Sequence, residues 1–395
     1  MSRSLENLEQ FAIEVIFERR GGFRAALLRG LLYALSRVYE RVVQLRLWLY
    51  RKRILRERTL GCLVISIGNL TVGGTGKTPI VEKFARALQG GGRHVAILSR
   101  GYKSVPRQTP RARFPFAPKT PEPPRIVSDG KSLLLDSLTA GDEPYMLANN
   151  LKDVVVLVDK DRVKSGLFAI EHMNVDTLLL DDGLQYLHLK HRLDIVLIDR
   201  QAPFGNEHLL PRGTLREPPR NLRRASYIFI TKSTGESNAD LIERIRRYNR
   251  TAEIIECAHK PLHLQNVSTG EIEPLGKLAD AFVGALSGIA APQSFEGGLS
   301  ALGAKIEIAK RYADHHRYTE QELRSFINRC VRRDLAMVVT TEKDAVRFPL
   351  LGKTDIPIYF LRVEIEILSG HESWEHCVAR ICQPQPVLSP ERFFA

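Results

Sequence analysis

The residues most suited to chemistry in this 395-residue chain begin with Gly76-Lys77-Thr78, inside the stretch GNLTVGGTGKTP (68–79). Phosphate oxygens need backbone N–H groups that can approach closely, which a glycine-rich turn at a helix start provides, and a lysine that reaches the phosphates. Thr71, Val72, Gly73, Gly74, Thr75, Gly76, Lys77 and Thr78 are therefore candidate nucleotide-binding residues, with the Thr78 hydroxyl offered to Mg²⁺. One position departs from the usual phosphate loop. That pattern has a glycine five places before Gly76, and Thr71 stands there. Gly73 and Gly74 are expected to supply the missing freedom.

A Mg²⁺–phosphate site also needs carboxylates at strand ends, because hard cations take oxygen ligands. Three apolar runs end in aspartate, at Asp159, Asp181 and Asp199. LLLDDGLQ sets Asp181 and Asp182 side by side before a glycine, a pairing that is costly without a cation to offset repulsion. In TAGDEPYML, Asp142 either caps a helix with Pro144 in its first turn, or serves as a general base. YADHHRYTEQEL brings Asp314, His315 and His316 up to a capped helix. It reads either as a surface turn or as a carboxylate-oriented histidine for proton transfer. PRGTLREPPRNLRRA (211–225) gathers five arginines, for phosphate binding or as solvated charge.

The nucleotide is expected to be ATP. VGGTGKT resembles the loop of the partition and targeting ATPases, but Val72 stands where those carry a signature lysine, which argues against a dimerising ATPase switch. Guanine recognition needs an aspartate in the position of Thr234, at the end of TKST.

These residues require strands to carry them. CLVISIGN, HVAILSRGY, VVVLVDKDR, VDTLLLDDG, LDIVLIDR and ASYIFITK are near-continuous apolar runs alternating with helical segments. That pattern predicts a doubly wound parallel sheet covered on both faces. LHLQNVSTGEIEPL (262–275) reads as a hairpin turning at Ser268-Thr269-Gly270, after which FVGALSGIA, MVVTTEKDA and the helix TEQELRSFINRCVRRD make a second, smaller α/β unit. The expected division is 1–58, 59–261, 262–275 and 276–395. Residues 105–125 hold seven prolines and read as a surface loop.

The net charge is +13, and residues 1–60 contribute 13 Lys/Arg against 6 Glu. Such a balance favours polyanions. No zinc-finger spacing or aromatic RNA-binding signature is present, so nucleic acid is not expected, nor an obligate protein partner. Residues 23–58 have leucines and valines at helical spacing with arginines between. They form one or two helices that either lie on an anionic membrane surface or pack on their own domain. No stretch is long and apolar enough to span a bilayer, and no secretory signal is apparent. The five scattered cysteines show no C-x-x-C pair and fit a reducing cytosol.

Taken in order, GNLTVGGTGKTP, LSRGY, GDEP, LLLDDGLQ, PRGTLREP, FVGALSGIA, DHHRYTEQEL and TTEKDAVR resemble the tetraacyldisaccharide 4′-kinase family over most of the chain. The resemblance implies a P-loop NTPase-like domain and a smaller α/β domain joined by a β-hairpin, with an N-terminal amphipathic helix on the cytoplasmic face of the bacterial inner membrane. It implies ATP and Mg²⁺, and phosphorylation of the 4′-hydroxyl of an acylated disaccharide lipid. Carried over by position, Lys77 and Thr78 serve the phosphates and Mg²⁺, and Asp181 and Asp182 form the metal-side acidic pair. Asp142 is the base with His315 as its partner, and Glu143, Gln185, Arg216 and Glu217 match further site positions. Tyr186 stands where the family usually has histidine, so it receives no proton-transfer or metal role. The remaining alternative is a membrane-recruited ATPase that does no substrate chemistry.

Overall fold

The apolar runs become strands because both of their faces are covered. β1 (Leu63–Asn69) and β5 (Thr177–Asp181) are buried along their whole length, and so are β2 (Val95–Ser99), β4 (Val155–Val158) and β7 (Tyr227–Thr231). β6 (Leu193–Asp199) continues the set. A computed structural model describes residues 11–101, 104–105 and 122–383. The proline-rich 105–125 segment lies mostly outside the described residues.

β1 sits centrally, parallel to β5 on one side and β6 on the other. A strand not expected from sequence, β3 (Arg125–Asp129), closes one edge antiparallel to β4. On the other side β7 pairs in parallel with the start of β8 (Glu253–Asn266), which runs for 14 residues. β13 (Ile358–Ser369) pairs antiparallel along most of β8. Beyond it come β12 (Met337–Thr341), β10 (Phe282–Ser287) and β11 (Lys305–Arg311), all parallel.

The result is one 13-stranded sheet, with twelve strands in the order β11-β10-β12-β13-β8-β7-β6-β1-β5-β2-β4-β3 and β9 (Ile272–Glu273) added to β8. The sheet is thus parallel-dominated but mixed. The expected hairpin is present, as Leu264 and Gln265 pair with Glu273 and Ile272. The connection between the two groups of strands is nevertheless the β8/β13 ribbon, which begins well before residue 262. EIIECAHKPLHLQN interleaves charged residues with apolar ones, so it lacks the continuous apolar signature of its neighbours.

The helix that follows the glycine loop, α2 (Lys77–Gly90), buries Ile80, Val81, Phe84 and Leu88 against the sheet. The Phe84 ring packs 5.6 Å from Phe229 and 4.7 Å from Trp374, both edge-on. Trp374 belongs to the last described helix, His371–Cys382, whose Ile381 carbonyl accepts from Arg93 at 2.6 Å. This tail was expected with the C-terminal unit. It returns instead to the core around β1.

In the N-terminal segment residues 11–16 are helical and, after a break, α1 (Phe23–Arg51) follows, in place of one helix over the whole of 1–58. The polar side of α1 faces the protein. Tyr39 donates to the Arg216 carbonyl at 3.1 Å, Gln44 to Asn221, and Glu40 pairs with Arg220. Phe23, Leu27, Leu31, Leu35, Val38, Val42 and Leu45 stand exposed along the other side. Among the described residues no helix is long and apolar enough to cross a membrane. All five cysteines are free.

Candidate active site

The glycine turn lies between β1 and α2. Thr71 forms an isolated bridge to Leu215, and Val72 donates its N–H to the Thr214 carbonyl at 2.7 Å. This explains Thr71 in place of glycine. The first part of the loop pairs with residues 214–215 without a left-handed backbone, so no glycine is required there, and the sharp turning is done later. Gly73 and Gly76 have φ of 124° and 79°, in the region that favours glycine. A Cβ at Gly76 would also meet the His259 ring at 3.1 Å. Lys77 and Thr78 open the helix behind them. The Lys77 ammonium donates to Asn69 Oδ1 at 3.3 Å and stands 3.9 Å from Asp182.

The acidic pair does not collide, because its backbone turns between the two side chains. Asp182 has φ of 57°, so the carboxylates diverge. Asp181 points inward and accepts from the Ser99 hydroxyl at 3.1 Å. Burial, then the Glu143 and Asp182 charges, push its carboxyl up to about 7. Its Oδ1 is buried without a hydrogen-bond partner. Asp182 turns to Arg216, which donates to both of its oxygens at 2.8 Å. Burial opposes ionisation of Asp182, but Arg216 and Lys77 outweigh it and hold the carboxyl below the usual range.

This donor set fits Mg²⁺. An orphaned carboxylate oxygen on Asp181 and the buried Thr78 hydroxyl are hard oxygen ligands. Among the described residues no three His, Cys, Asp or Glu side chains form a ready-made metal cluster. Asp182 is committed to Arg216 in this arrangement, so Asp181 is the better-placed carboxylate of the two.

On the glycine turn's own side of the cleft between the two groups of strands, Asp142 opens the helix Asp142–Asn150, but Gly141 is its N-cap, and the Asp142 side chain caps nothing. It reaches instead to the second group of strands. His315 Nδ1 lies 3.1 Å from Asp142 Oδ2, Arg347 Nε donates to the same oxygen at 2.8 Å, and Arg317 donates to Oδ1 at 2.7 Å. Asp142 is only 5% exposed. Burial alone would raise its pKa, but His315, Arg347 and Arg317 together hold it below the ordinary carboxylate range. His315 takes φ of 65° while its N–H donates to the Gly288 carbonyl at 3.2 Å. A non-glycine residue in that conformation is strained and persists where the surroundings over-determine it.

Glu143 bridges the two sides. It pairs with Lys343 at 2.9 Å. Burial opposes its ionisation, but the Lys343, Lys77 and His315 charges bring its carboxyl below the usual range, and its own charge is among those that raise Asp181.

The remaining expectations separate cleanly. His316 stacks on Tyr312 and pairs with Glu322 at 3.2 Å, away from Asp142. Asp159 and Asp199 are neutralised by Lys164 and Lys232. Gln185 donates to the Asn69 carbonyl at 3.2 Å and to Glu217 at 3.1 Å, and Glu217 is held by Arg224 and Asn221. Both sit behind the site, under Asn69 and Arg216. Of the arginine loop only Arg216 reaches the acidic pair; Arg212, Arg220 and Arg224 tie the loop to Glu18, Glu40 and Glu217. Tyr186 donates to Asp161 at 3.1 Å and accepts from the Arg162 N–H, which occupies it structurally.

Sequence reasoning gave no role to Asn69, Ser99, Arg317, Lys343 or Arg347. Asn69 touches Lys77 and Arg216 together, so it couples the lysine to the acidic pair. Lys343 and Arg347 fall in TTEKDAVR, where Thr341 caps a helical turn and accepts from the Asp344 N–H at 3.1 Å. A capped turn with basic residues directly after a strand was the available signal.

The chain is similar to known proteins over most of its length. The family model described as tetraacyldisaccharide-1-P 4′-kinase matches residues 28–383. Tetraacyldisaccharide 4′-kinase of Syntrophus aciditrophicus is 39% identical over 365 residues, covering 88% of this chain and 91% of its own. That of Anaeromyxobacter dehalogenans strain 2CP-C is 38% identical over 373 residues, covering 93% and 94%. A crystal structure of Aquifex aeolicus LpxK in complex with ATP superposes with a TM-score of 0.69 at 30% identity, covering 90% of this chain and 99% of that one. With the family model spanning nearly the whole chain, the protein belongs to the tetraacyldisaccharide 4′-kinase family.

Proposed function

We propose that the two walls of this cleft divide the work of the family's reaction, the transfer of phosphate from ATP to the 4′-hydroxyl of a tetraacyldisaccharide 1-phosphate in lipid A biosynthesis. The observation that carries the reading is the contact between Asp142 and His315, at 3.1 Å, from opposite groups of strands. Residues 71–78 act as a phosphate loop, their backbone N–H groups and Lys77 holding the ATP phosphates. Thr78 and Asp181 hold Mg²⁺ on the phosphate side, with Asp182 keeping Arg216 in place beside them. When bound, Mg²⁺ neutralises charge on the phosphates.

Asp142 and His315 receive the proton of the 4′-hydroxyl. Its O–H bond breaks as its oxygen bonds to the γ-phosphorus, and the bond from that phosphorus to the bridging oxygen breaks to release ADP. Phosphoryl transfer leaves little covalent work to the protein, so positioning and charge do most of it. We further propose a division into a phosphate-loop unit at 59–261 and a smaller unit at 276–395 joined through the 262–275 hairpin, with the 371–382 helix reaching back. Because the proton-accepting pair is split between them, closure of the units assembles the site and excludes water.

The exposed apolar line of α1, flanked by Arg24, Arg29, Arg37, Arg41 and Arg46, suits the interface of an anionic bilayer on the cytoplasmic face. One experiment tests both parts. The enzyme is mixed with γ-labelled ATP and vesicles of phosphatidylglycerol carrying tetraacyldisaccharide 1-phosphate. Label is expected in the lipid, and the wild-type chain is expected to sediment with the vesicles. A Leu31→Ser, Val38→Ser, Val42→Ser variant should lose roughly tenfold or more in vesicle binding, at about 0.8 kcal/mol per buried CH₂ withdrawn. ATP hydrolysis without labelled lipid would favour an ATPase switch. Unchanged sedimentation would remove α1 from the membrane contact.

A further inference from the structure

We infer that Arg347 is a positioning residue for the proton-accepting pair: its guanidinium holds Asp142 and His315 in one mutual orientation, anchored in the second group of strands. The inference rests on the reading of Asp142 and His315 as that pair. It concerns a residue that touches neither phosphate nor sugar in the reaction described above.

The Arg347 side chain is fully buried and turns its three nitrogens to four groups. Nε donates to Asp142 Oδ2 at 2.8 Å, and Nη1 donates to the Gly288 carbonyl at 2.9 Å and to Asp344 Oδ1 at 3.1 Å. Nη2 lies 3.3 Å from His315 Nδ1. That nitrogen cannot donate to Asp142 and accept from Arg347 at once, and its shorter contact is to Asp142.

The rear of Arg347 is rigid. Asp344, itself fully buried, accepts from the Tyr318 hydroxyl at 2.9 Å, the Gly288 N–H at 3.1 Å and the Thr341 hydroxyl at 2.6 Å. A Cβ on Gly288 would meet the Tyr318 hydroxyl at 2.8 Å and Asp344 at 3.1 Å, so a side chain there would displace this support. The Gly288 carbonyl accepts from both Arg347 Nη1 and the His315 N–H, which links the strained His315 backbone to the same guanidinium.

A purely structural arginine would be satisfied by Asp344 and Gly288. The surplus is the Nε edge, spent on the Asp142 oxygen that His315 also contacts. Arg317 engages the other oxygen, but its side chain is 37% exposed and freer to move. The charged groups facing Asp142 are therefore His315, Arg317 and Arg347, with Glu143 adjacent in sequence. Arginine is suited to this task because its planar fork fixes direction as well as charge.

The test compares Arg347→Met, Arg347→Lys, Tyr318→Phe and Asp142→Asn in the full chain, measuring kcat, KM for ATP, the pH dependence of kcat and thermal stability. Arg347→Met should lower kcat by about a hundredfold with KM for ATP within about threefold, the signature of an interaction that matters in the transition state. The acidic limb of its kcat profile should move up by about one pH unit, because the carboxylate loses a cationic partner. Arg347→Lys should recover about tenfold of the loss, since it restores charge but not the fork. Tyr318→Phe, which touches Asp344 but not Asp142, should melt lower while keeping kcat within about threefold and the acidic limb in place.

Near-wild-type kcat in Arg347→Met beside an inactive Asp142→Asn would overturn the inference and leave the pair intact. So would parallel losses of kcat and stability in Arg347→Met and Tyr318→Phe with an unmoved acidic limb. If Arg347→Met does not fold, Arg347→Lys decides: wild-type kcat and pH profile in a folded lysine variant also overturn it. An active Asp142→Asn would sink the reading on which the inference stands.

Discussion

Asp142→Asn is expected to lower turnover by about 10²–10⁴-fold, the usual range for removing a positioned acid–base group. ATP affinity should stay within about threefold of wild type, because no phosphate-holding residue is touched. The substitution keeps side-chain volume and leaves Arg347 its bonds to Asp344 and Gly288, so the fold is retained. Three partners converge on this one carboxylate from across the cleft, and only the charge that fixes them is lost. Steady-state kinetics with labelled ATP, beside equilibrium nucleotide binding, separate the two effects. Full turnover in the variant would remove Asp142 from the chemistry.

Lys77→Ala is expected to act on both parameters. A fixed cation aimed at developing phosphoryl charge contributes about 10²–10³ in kcat, or about 3–4 kcal/mol, in comparable electrostatic sites. The same ammonium meets the ground-state phosphates, so KM for ATP should rise as well. Its loss also leaves Asn69 Oδ1 to Arg216 and removes a charge that opposes protonation of Asp181. The contrast with Asp142→Asn is diagnostic: one variant binds ATP and fails to transfer, while the other is impaired at both. A Lys77→Ala enzyme with unaltered KM and kcat would show that the glycine turn is not the nucleotide seat.

The parts of this fold legible in the sequence were those buried on both faces. β1, β2, β4, β5, β6 and β7 read as continuous apolar runs because helices cover them above and below. β8 and β13 did not, since strands with one partly wet face alternate, and charged residues such as Glu253, Lys260, Glu364 and Glu366 interrupt them. β3 was hidden directly behind the proline run. The site was legible in pieces. Lys77 and Thr78 follow from local spacing, whereas Asp142 and His315, 173 residues apart, could be joined only through the family resemblance. Arg317 and Arg347 lie 175 and 205 residues from Asp142, and no local pattern marks an arginine as one that folds onto a distant carboxylate. The two histidines differ only in tertiary geometry, in which the His315 ring faces Asp142 and its neighbour His316 stacks on Tyr312.

The claim that one proton-accepting unit is assembled from both groups of strands is tested most directly by a double-mutant cycle on kcat, using Asp142→Asn, His315→Ala and the two combined. Groups that act as a unit are strongly non-additive. The combined variant should therefore be within about threefold of the slower single variant, a coupling of several kcal/mol relative to simple addition. If the two losses multiply, Asp142 and His315 act independently, and their meeting across the cleft does not serve proton transfer.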